Sequence, residues 1–557
     1  MRAPRTTAIV LAFAVLTVAM TWPLLSIGAN VVPDIDDAYF SVWRLAWVAH
    51  QLPRGPAHLF DANIFHPTPG TLAFSDAMLL VSVLGAPAIW LGVNAPLVHN
   101  LLTGAAFVSS MWLTFLLVRG LTRSAGAGWI AALIFGFAPY RMAHLGHLEL
   151  QWVMFMPLGL WLLHRYVATP TARRALAVGG AVAGQTLCSI YYGVFLSLYL
   201  FAALIILLAM RAHVRRRAAA LTPLMLIPLL AVAAIYGPPY ANSRAQHGAR
   251  NVTEITEYSA APEDFLRVPP GNRLRGRNDS RPAPEERSLY PGTATVILAA
   301  AAFVPPVAPS AWMYLALTAI SVDAALGMNG VLFPVLQRMV PTLTSLRAPA
   351  RCGVLVLLSL TVLAGYGAAK IVAARPGAAA AFVVIATVLS LAEFWSAPIM
   401  VRPNQEPPTE AHRWLSHQPE GTVVVEMPLP TNDSLWRWET TYLIRSTHHW
   451  QPLVNGYSGF VPEQYRQTLV YLQGFPDERS IERLRELNVR FIVLNRRYYG
   501  AEEYTDLIAR VTRTAGLRPA QRFATGQDEI VIVEMDDGPA AVPSLAERLD
   551  VLRQRRK

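Results

Sequence analysis

The chain has 557 residues, 54% of them hydrophobic, and a formal net charge of +11. That hydrophobic share excludes a soluble enzyme built round one large core and predicts a polytopic membrane protein. Residues 401–557 hold 20 basic and 21 acidic side chains and residues 1–400 hold 27 and 15, so the positive excess belongs to the apolar part, as cytoplasmic loops produce it, and does not make a nucleic-acid face.

After M-R-A-P-R, residues 7–29 form an apolar run longer than a signal-peptide core. It is predicted to be an uncleaved first span with a cytoplasmic N-terminus. A long external loop, 30–95, follows and opens with P-D-I-D-D-A-Y-F-S-V-W-R-L-A-W-V-A-H. Asp34, Asp36 and Asp37 stand within four residues. Capping of a helix accounts for one such acid; three adjacent like charges repel unless something uses them. The aromatic run behind them is predicted to lie as a short helix at the membrane surface, placing the acids at the bilayer rim. Arg44, seven residues after Asp37, falls on the same helical face. The loop continues through F-D-A-N-I-F-H-P-T-P-G-T-L-A-F-S-D, and the apolar piece 77–93 is predicted to dip into the outer surface without crossing.

Further spans are predicted at 97–118, 125–140 and 152–167. Between the last two lies R-M-A-H-L-G-H-L-E-L-Q, which supplies Arg141, His144, His147 and Glu149 on the same outer face. A helix here would set the two histidines together. The fifth span ends outside near S-I-Y-Y-G; the sixth ends inside at R-A-H-V-R-R-R (211–217), the strongest inward marker. A seventh (221–236) leads to a second external loop, 237–292. Spans eight to eleven are predicted at 293–307, 311–326, 352–369 and 378–397, with S-L-R-A-P-A-R carrying Arg347 and Arg351 at the mouth of the tenth. Cys188 and Cys352 lie in apolar segments, so neither a disulfide framework nor a cysteine zinc site is implied. Eleven spans leave residues 401–557 outside. Those residues read as an α/β domain, with strands at 423–427, 490–495 and 529–535 and a helix near 481–487. V-N-G-Y-S-G-F-V-P-E-Q-Y, with Tyr457, is a loop with the composition to contact sugar. No P-loop, G-x-S-x-G or dinucleotide fingerprint is present.

D-D-A-Y-F-S-V-W-R-L-A-W-V-A-H-Q-L, F-D-A-N-I-F-H-P, F-A-P-Y-R-M-A-H-L-G-H-L-E-L-Q and V-N-G-Y-S-G-F together resemble the GT-C superfamily of membrane glycosyltransferases. The likeness is to a bacterial, largely uncharacterised group on an oligosaccharyltransferase- or aminoarabinose-transferase-like scaffold. It covers nearly the whole chain. It implies an inverting enzyme of the bacterial inner membrane that moves a sugar from a polyprenyl-phosphate donor to an acceptor hydroxyl on a glycan, lipid or protein. Carried over by position, Asp37 matches the first-loop acid, with Asp36 and Asp34 behind it. Glu149 lies where the relatives carry a second acidic motif, but the usual Asp-x-Glu is replaced by His144, His147 and Glu149. Arg347 and Arg351 fall where a cation meets the carrier phosphate.

The chemistry fits independently of the likeness. A hydroxyl attacking an anomeric carbon needs a carboxylate base, and a departing phosphate needs a fixed cation, which arginine supplies through two parallel hydrogen bonds. A divalent cation held by Asp37, His147 and Glu149 is the cofactor the pattern admits. Two other readings remain open: a lipid or glycan transporter or flippase, for which Asp323 or Glu393 would have to face a central cavity, and a non-catalytic envelope assembly protein.

Overall fold

The computed structural model describes residues 3–276, 285–404, 409–430, 436–525 and 528–536. The chain forms two compact units. One comprises Met1–Pro33, Asp76–Arg244 and Gly248–Arg402; the other comprises Asp34–Ser75, Ala245–His247 and Pro403–Lys557. The division falls at Arg402/Pro403, and the Asp34–Ser75 part of the first loop groups with the C-terminal residues.

The first unit is helical. Its helices begin where a short polar side chain can satisfy the free N–H groups of a first turn. Asn94 accepts from Leu97 N, Ser124 from Ala127 N, Thr171 from Arg174 N and Ser189 from Tyr192 N. Among the described residues, six segments are long and apolar enough to cross a membrane: Ala95–Thr122, Ile190–Met210, Ala212–His247, Pro309–Asn329, Pro349–Ala374 and Pro376–Phe394. A seventh is counted if the Thr6–Met20 and Leu24–Asn30 pair, bent by 99°, makes one span. The expected single first span is thus broken around Pro23, where the ring removes a backbone donor and halts the helix. The third, fourth, fifth and eighth expected spans are shorter helices, Ala125–Phe137, Phe155–Ala168, Ala172–Cys188 and Thr293–Ala301.

Large apolar side chains stand exposed along several of these helices, among them Val15, Phe201, Ile205, Leu230 and Val384. Water would penalise that surface; hydrocarbon would not. The Pro349–Ala374 segment is the most buried of the six and sits at the centre of the unit, whereas Ala212–His247 is the least buried. Close packing at the centre depends on Gly367, where a Cβ would lie 1.8 Å from the Leu298 carbonyl oxygen of the Thr293–Ala301 helix. Any larger residue there forces the two backbones apart.

The second unit is built round four strands: β1 (Val423–Met427), β2 (Val489–Asn495), β3 (Leu517–Thr525) and β4 (Asp528–Met535). Their order is β1-β2-β4-β3, with β1 parallel to β2 and the other pairs antiparallel. Near-continuous Val and Ile in β1, β2 and β4 fits strands buried on both faces. The aromatic helix Asp37–Gln51 belongs here. Every residue from Ala38 to Ala49 is buried, and the helix packs on Trp436–Ser446. It is therefore not the membrane-surface helix that the sequence predicts. Its rings are consumed by protein: Phe40 meets Tyr457 edge-on at 5.4 Å, Trp47 lies 5.8 Å from Trp450, and its indole N–H donates to Leu59 O. Backbone bonds from Phe65 N to Asn455 O, His66 N to Leu453 O and Leu453 N to Asn63 O tie the rest of the loop to the same body.

Candidate functional site

The three loop acids have separate fates. Asp34 Oδ1 accepts from Asp36 N at 2.9 Å and Ala38 N at 3.0 Å, so this is the capping acid. Asp36 is exposed and makes no side-chain cap bond. Asp37 is half-buried in the first turn of its helix, and the Tyr457 hydroxyl donates to its Oδ1 at 3.2 Å. Arg44 is buried, donates from Nη2 to Ser41 Oγ at 2.9 Å and lies 4.5 Å over the Phe40 ring, which makes it a packing cation of this helix.

The Tyr457 loop is fixed by a carboxylate that the sequence did not single out. Glu439, wholly buried, receives Gly456 N at 2.7 Å, the Tyr465 hydroxyl at 2.8 Å and Asn455 Nδ2 at 3.2 Å. Gly456 itself has no room for a side chain: a Cβ would sit 2.6 Å from the Phe65 ring. Burial pushes the Glu439 carboxyl up to about 8, against the three hydrogen bonds that favour its charge. Neighbouring Glu426 goes the other way: burial is outweighed by His412, whose Nε2 lies 2.7 Å from Oε1, together with Arg445 and Asn495. Because Glu439 is raised in the fold, its contribution to stability is full below its ordinary value of 4.5 and is lost as pH rises through about 8. Glu439→Gln, a mimic of the protonated form, is therefore expected to flatten this fall, by up to about 1.4 kcal/mol per pH unit. Thermal unfolding of both proteins across that window measures it.

In the first unit the second polar cluster is also partly as expected. The 141–151 stretch is not one helix: Pro139–Ala143 and Leu148–Gln151 flank a turn. The turn still holds the His144 and His147 rings 5.8 Å apart. His147 Nδ1 lies 3.5 Å from Glu149 Oε1. His144 Nδ1 faces Tyr140 O at 2.8 Å and Nε2 faces Glu286 Oε2 at 3.1 Å. Glu286, absent from the sequence-based candidates, also takes Arg351 through Nε at 3.1 Å and Nη2 at 2.6 Å. Burial would raise this carboxyl, but Arg351 and then His144 hold it well below the usual range. All three are buried. The guanidinium of Arg351, expected to meet the carrier phosphate, is paired with Glu286 through two nitrogens, and a buried fork of this kind argues against its leaving the acid.

Arg347 is placed differently. It is part-exposed, lies 5.0 Å over the Tyr258 ring and is 3.9 Å from Glu254 Oε1, while its backbone N donates to Tyr191 OH. Arg250 shares Glu254 at 3.2 Å, and Arg244 donates to Thr344 and Ser345 beside it. Two guanidinium groups thus share one carboxylate, an excess of positive charge that favours an anion. Arg141 serves the chain itself: it donates to Gly136 O and Gln151 O and covers the Phe107 ring at 4.3 Å. Asp76, also overlooked, takes Ser189 Oγ and Ile190 N at 2.7 Å each and caps the Ile190–Met210 helix. Burial and then the Glu149 charge raise its carboxyl.

Among the described residues, no group of three or more His, Cys, Asp or Glu is arranged to hold a metal ion. Of the three residues named for a cation, Asp37 belongs to one unit and His147 and Glu149 to the other. The two acids on which transport would turn are both helix caps. Asp323 accepts from Val331 N and Leu332 N; Glu393 accepts from Thr293 N, Ala294 N and the Tyr290 hydroxyl.

No protein-family description and no curated protein matches the chain. Among solved structures it is similar to ArnT from Cupriavidus metallidurans bound to undecaprenyl phosphate, at 12% identity over 97% of this chain and 100% of that one, with a TM-score of 0.49. The same protein in the apo state matches at 12% identity over the same shares, with a TM-score of 0.34.

Proposed function

We propose that the chain is a GT-C-type membrane glycosyltransferase that transfers a sugar from a polyprenyl-phosphate donor to an acceptor hydroxyl, with Asp37 as general base. The observation that carries this reading is the sorting of the three loop acids. One caps, one is exposed, and Asp37 is half-buried with the Tyr457 phenol donating to its oxygen. A base needs that combination of access and orientation. In the reaction the acceptor O–H gives its proton to Asp37 while its oxygen forms a bond to the anomeric carbon. The bond from that carbon to the phosphate oxygen breaks, and polyprenyl phosphate departs with the electron pair. A single displacement of this kind inverts the anomeric centre. Tyr457 keeps the carboxylate aimed. In the first unit, we assign binding of the carrier phosphate to Arg347.

The polarity of the chain goes with this scheme. Arg119, Arg123, Arg173, Arg174 and the arginines of 211–217 mark a cytoplasmic face, and we assign residues 401–557 and Asp37 to the opposite side of a bacterial inner membrane.

The test supplies full-length protein in nanodiscs with polyprenyl-phosphate-linked hexoses and envelope glycan acceptors. Acceptor-dependent release of polyprenyl phosphate is expected. If no donor is consumed while labelled lipid crosses a reconstituted bilayer, transport replaces transfer. Arg347→Ala is expected to weaken polyprenyl-phosphate binding about ten- to a hundredfold, the worth of a charge-assisted hydrogen bond, as read by native mass spectrometry.

A further inference from the structure

A cavity of the globular unit has none of Asp34–Ser75 in its lining. It is a groove of about 510 Å³ at one end of the sheet, lined by the Gln418–Thr422 turn, the start of β2, the start of β3 and the end of β4. Its size is that of a small-ligand site. Trp414, half-buried, forms one wall and is braced edge-on by Phe491 at 5.0 Å. Gln521 is exposed and forms another. Glu534 is held between Arg490 and Arg518 across three strands. With Glu420, the charged lining residues are two acids and two bases, so the groove carries no net charge.

Two of the three sheet ladders break at this groove. On the β1–β2 side the register shifts between Val423 and Val424, whose partners are Val489 and Phe491, leaving Arg490 as the extra residue. On the β3–β4 side it shifts between Pro519 and Gln521, leaving Ala520 extra. Asn488, also in the lining, adopts a positive φ of 54°. Bulges cost ladder hydrogen bonds and re-aim side chains, and they gather where a strand end serves a site. Here two independent bulges and a left-handed residue converge on one cavity.

We propose that this groove binds a neutral oligosaccharide. Sugar rings present an apolar face and a rim of paired hydroxyls. An indole wall takes the face, and planar amide, guanidinium and carboxylate groups take the rim through bidentate hydrogen bonds. The charge balance of the lining selects against acidic glycans, since an added anion would have to compete with Glu534 for both arginines. The inference is independent of the transfer chemistry.

Full-length protein in nanodiscs, which avoid sugar-headed detergent, is titrated with maltohexaose and chitohexaose by calorimetry and saturation-transfer NMR. A hyaluronan hexasaccharide is the charged comparison. Saturable binding of at least one neutral hexaose is expected, weakened at least about tenfold in Trp414→Ala and in Gln521→Ala and kept in Trp414→Tyr. Gln521 is exposed, so its variant decides the matter if Trp414→Ala does not fold. Absence of saturable binding to either neutral sugar, binding of the hyaluronan fragment alone, or affinity unchanged in both alanine variants overturns the proposal.

Discussion

Asp37→Asn is expected to leave a folded, membrane-inserted protein whose sugar-transfer rate is lower by at least about a hundredfold, the low end for loss of a general base. The amide keeps the volume of the side chain and can still receive the Tyr457 hydroxyl on its oxygen. What it loses is the capacity to take a proton at neutral pH. The neighbouring acids supply the controls. Asp36 is exposed, and Asp34 spends Oδ1 on the N–H groups of Asp36 and Ala38, a task asparagine performs almost as well. Both Asp→Asn changes are expected to retain most activity. Near-normal transfer by Asp37→Asn, with loss of transfer in Glu149→Gln, would move the base to the second cluster.

The largest effect on stability is expected from Glu286→Gln. This carboxylate is buried and receives both the Arg351 fork and His144 Nε2. Removing its charge strands a guanidinium out of water, a defect worth about 3–5 kcal/mol. The loss should appear as a large drop in the unfolding temperature of the purified protein. The double change Glu286→Gln with Arg351→Met removes both ends of the pair and is expected to recover most of it, because an apolar replacement of a whole buried ion pair is often neutral. If the double variant is no more stable than the single, the pair is not what holds this region. If Arg351→Met instead abolishes carrier binding in a stable protein, Arg351 regains the role that its pairing argues against.

The sequence carried the aspartates of the first loop and the histidines of the second cluster, because both are dense in chemistry and adjacent in the chain. It did not carry what those residues do, since their partners are remote. Tyr457 lies 420 residues from Asp37, and Glu286 lies 142 from His144. Glu286 sits in E-E-R beside a Pro- and Arg-rich stretch, where an acid reads as solvated. The aromatic helix Asp37–Gln51 was placed at the membrane surface because apolar rings on every face suit lipid and protein interiors equally. Only the chain packed over it distinguishes the two. In the sheet, runs of Val and Ile announced β1, β2 and β4, while L-R-P-A-Q-R-F-A-T at β3 offers arginines and a proline that deny a buried strand. Helices of 9 to 17 residues stand where four of the spans were expected, because hydropathy locates apolar segments better than it locates their ends.

The Asp34–Ser75 segment belongs to the same unit as residues that follow Pro403. A ribosome adding roughly 5–20 residues per second makes Asp37 some 20–80 s before Tyr457 exists. During that interval the aromatic helix is outside its finished environment, with Phe40, Trp43 and Trp47 not yet covered by Trp436–Ser446 and the chain around it. A chaperone that binds apolar helices would find its client there. Any engineered version that ends before the last strands would carry the acid without the body that aims it, and expressing residues 403–536 alone would leave the place of that helix unfilled.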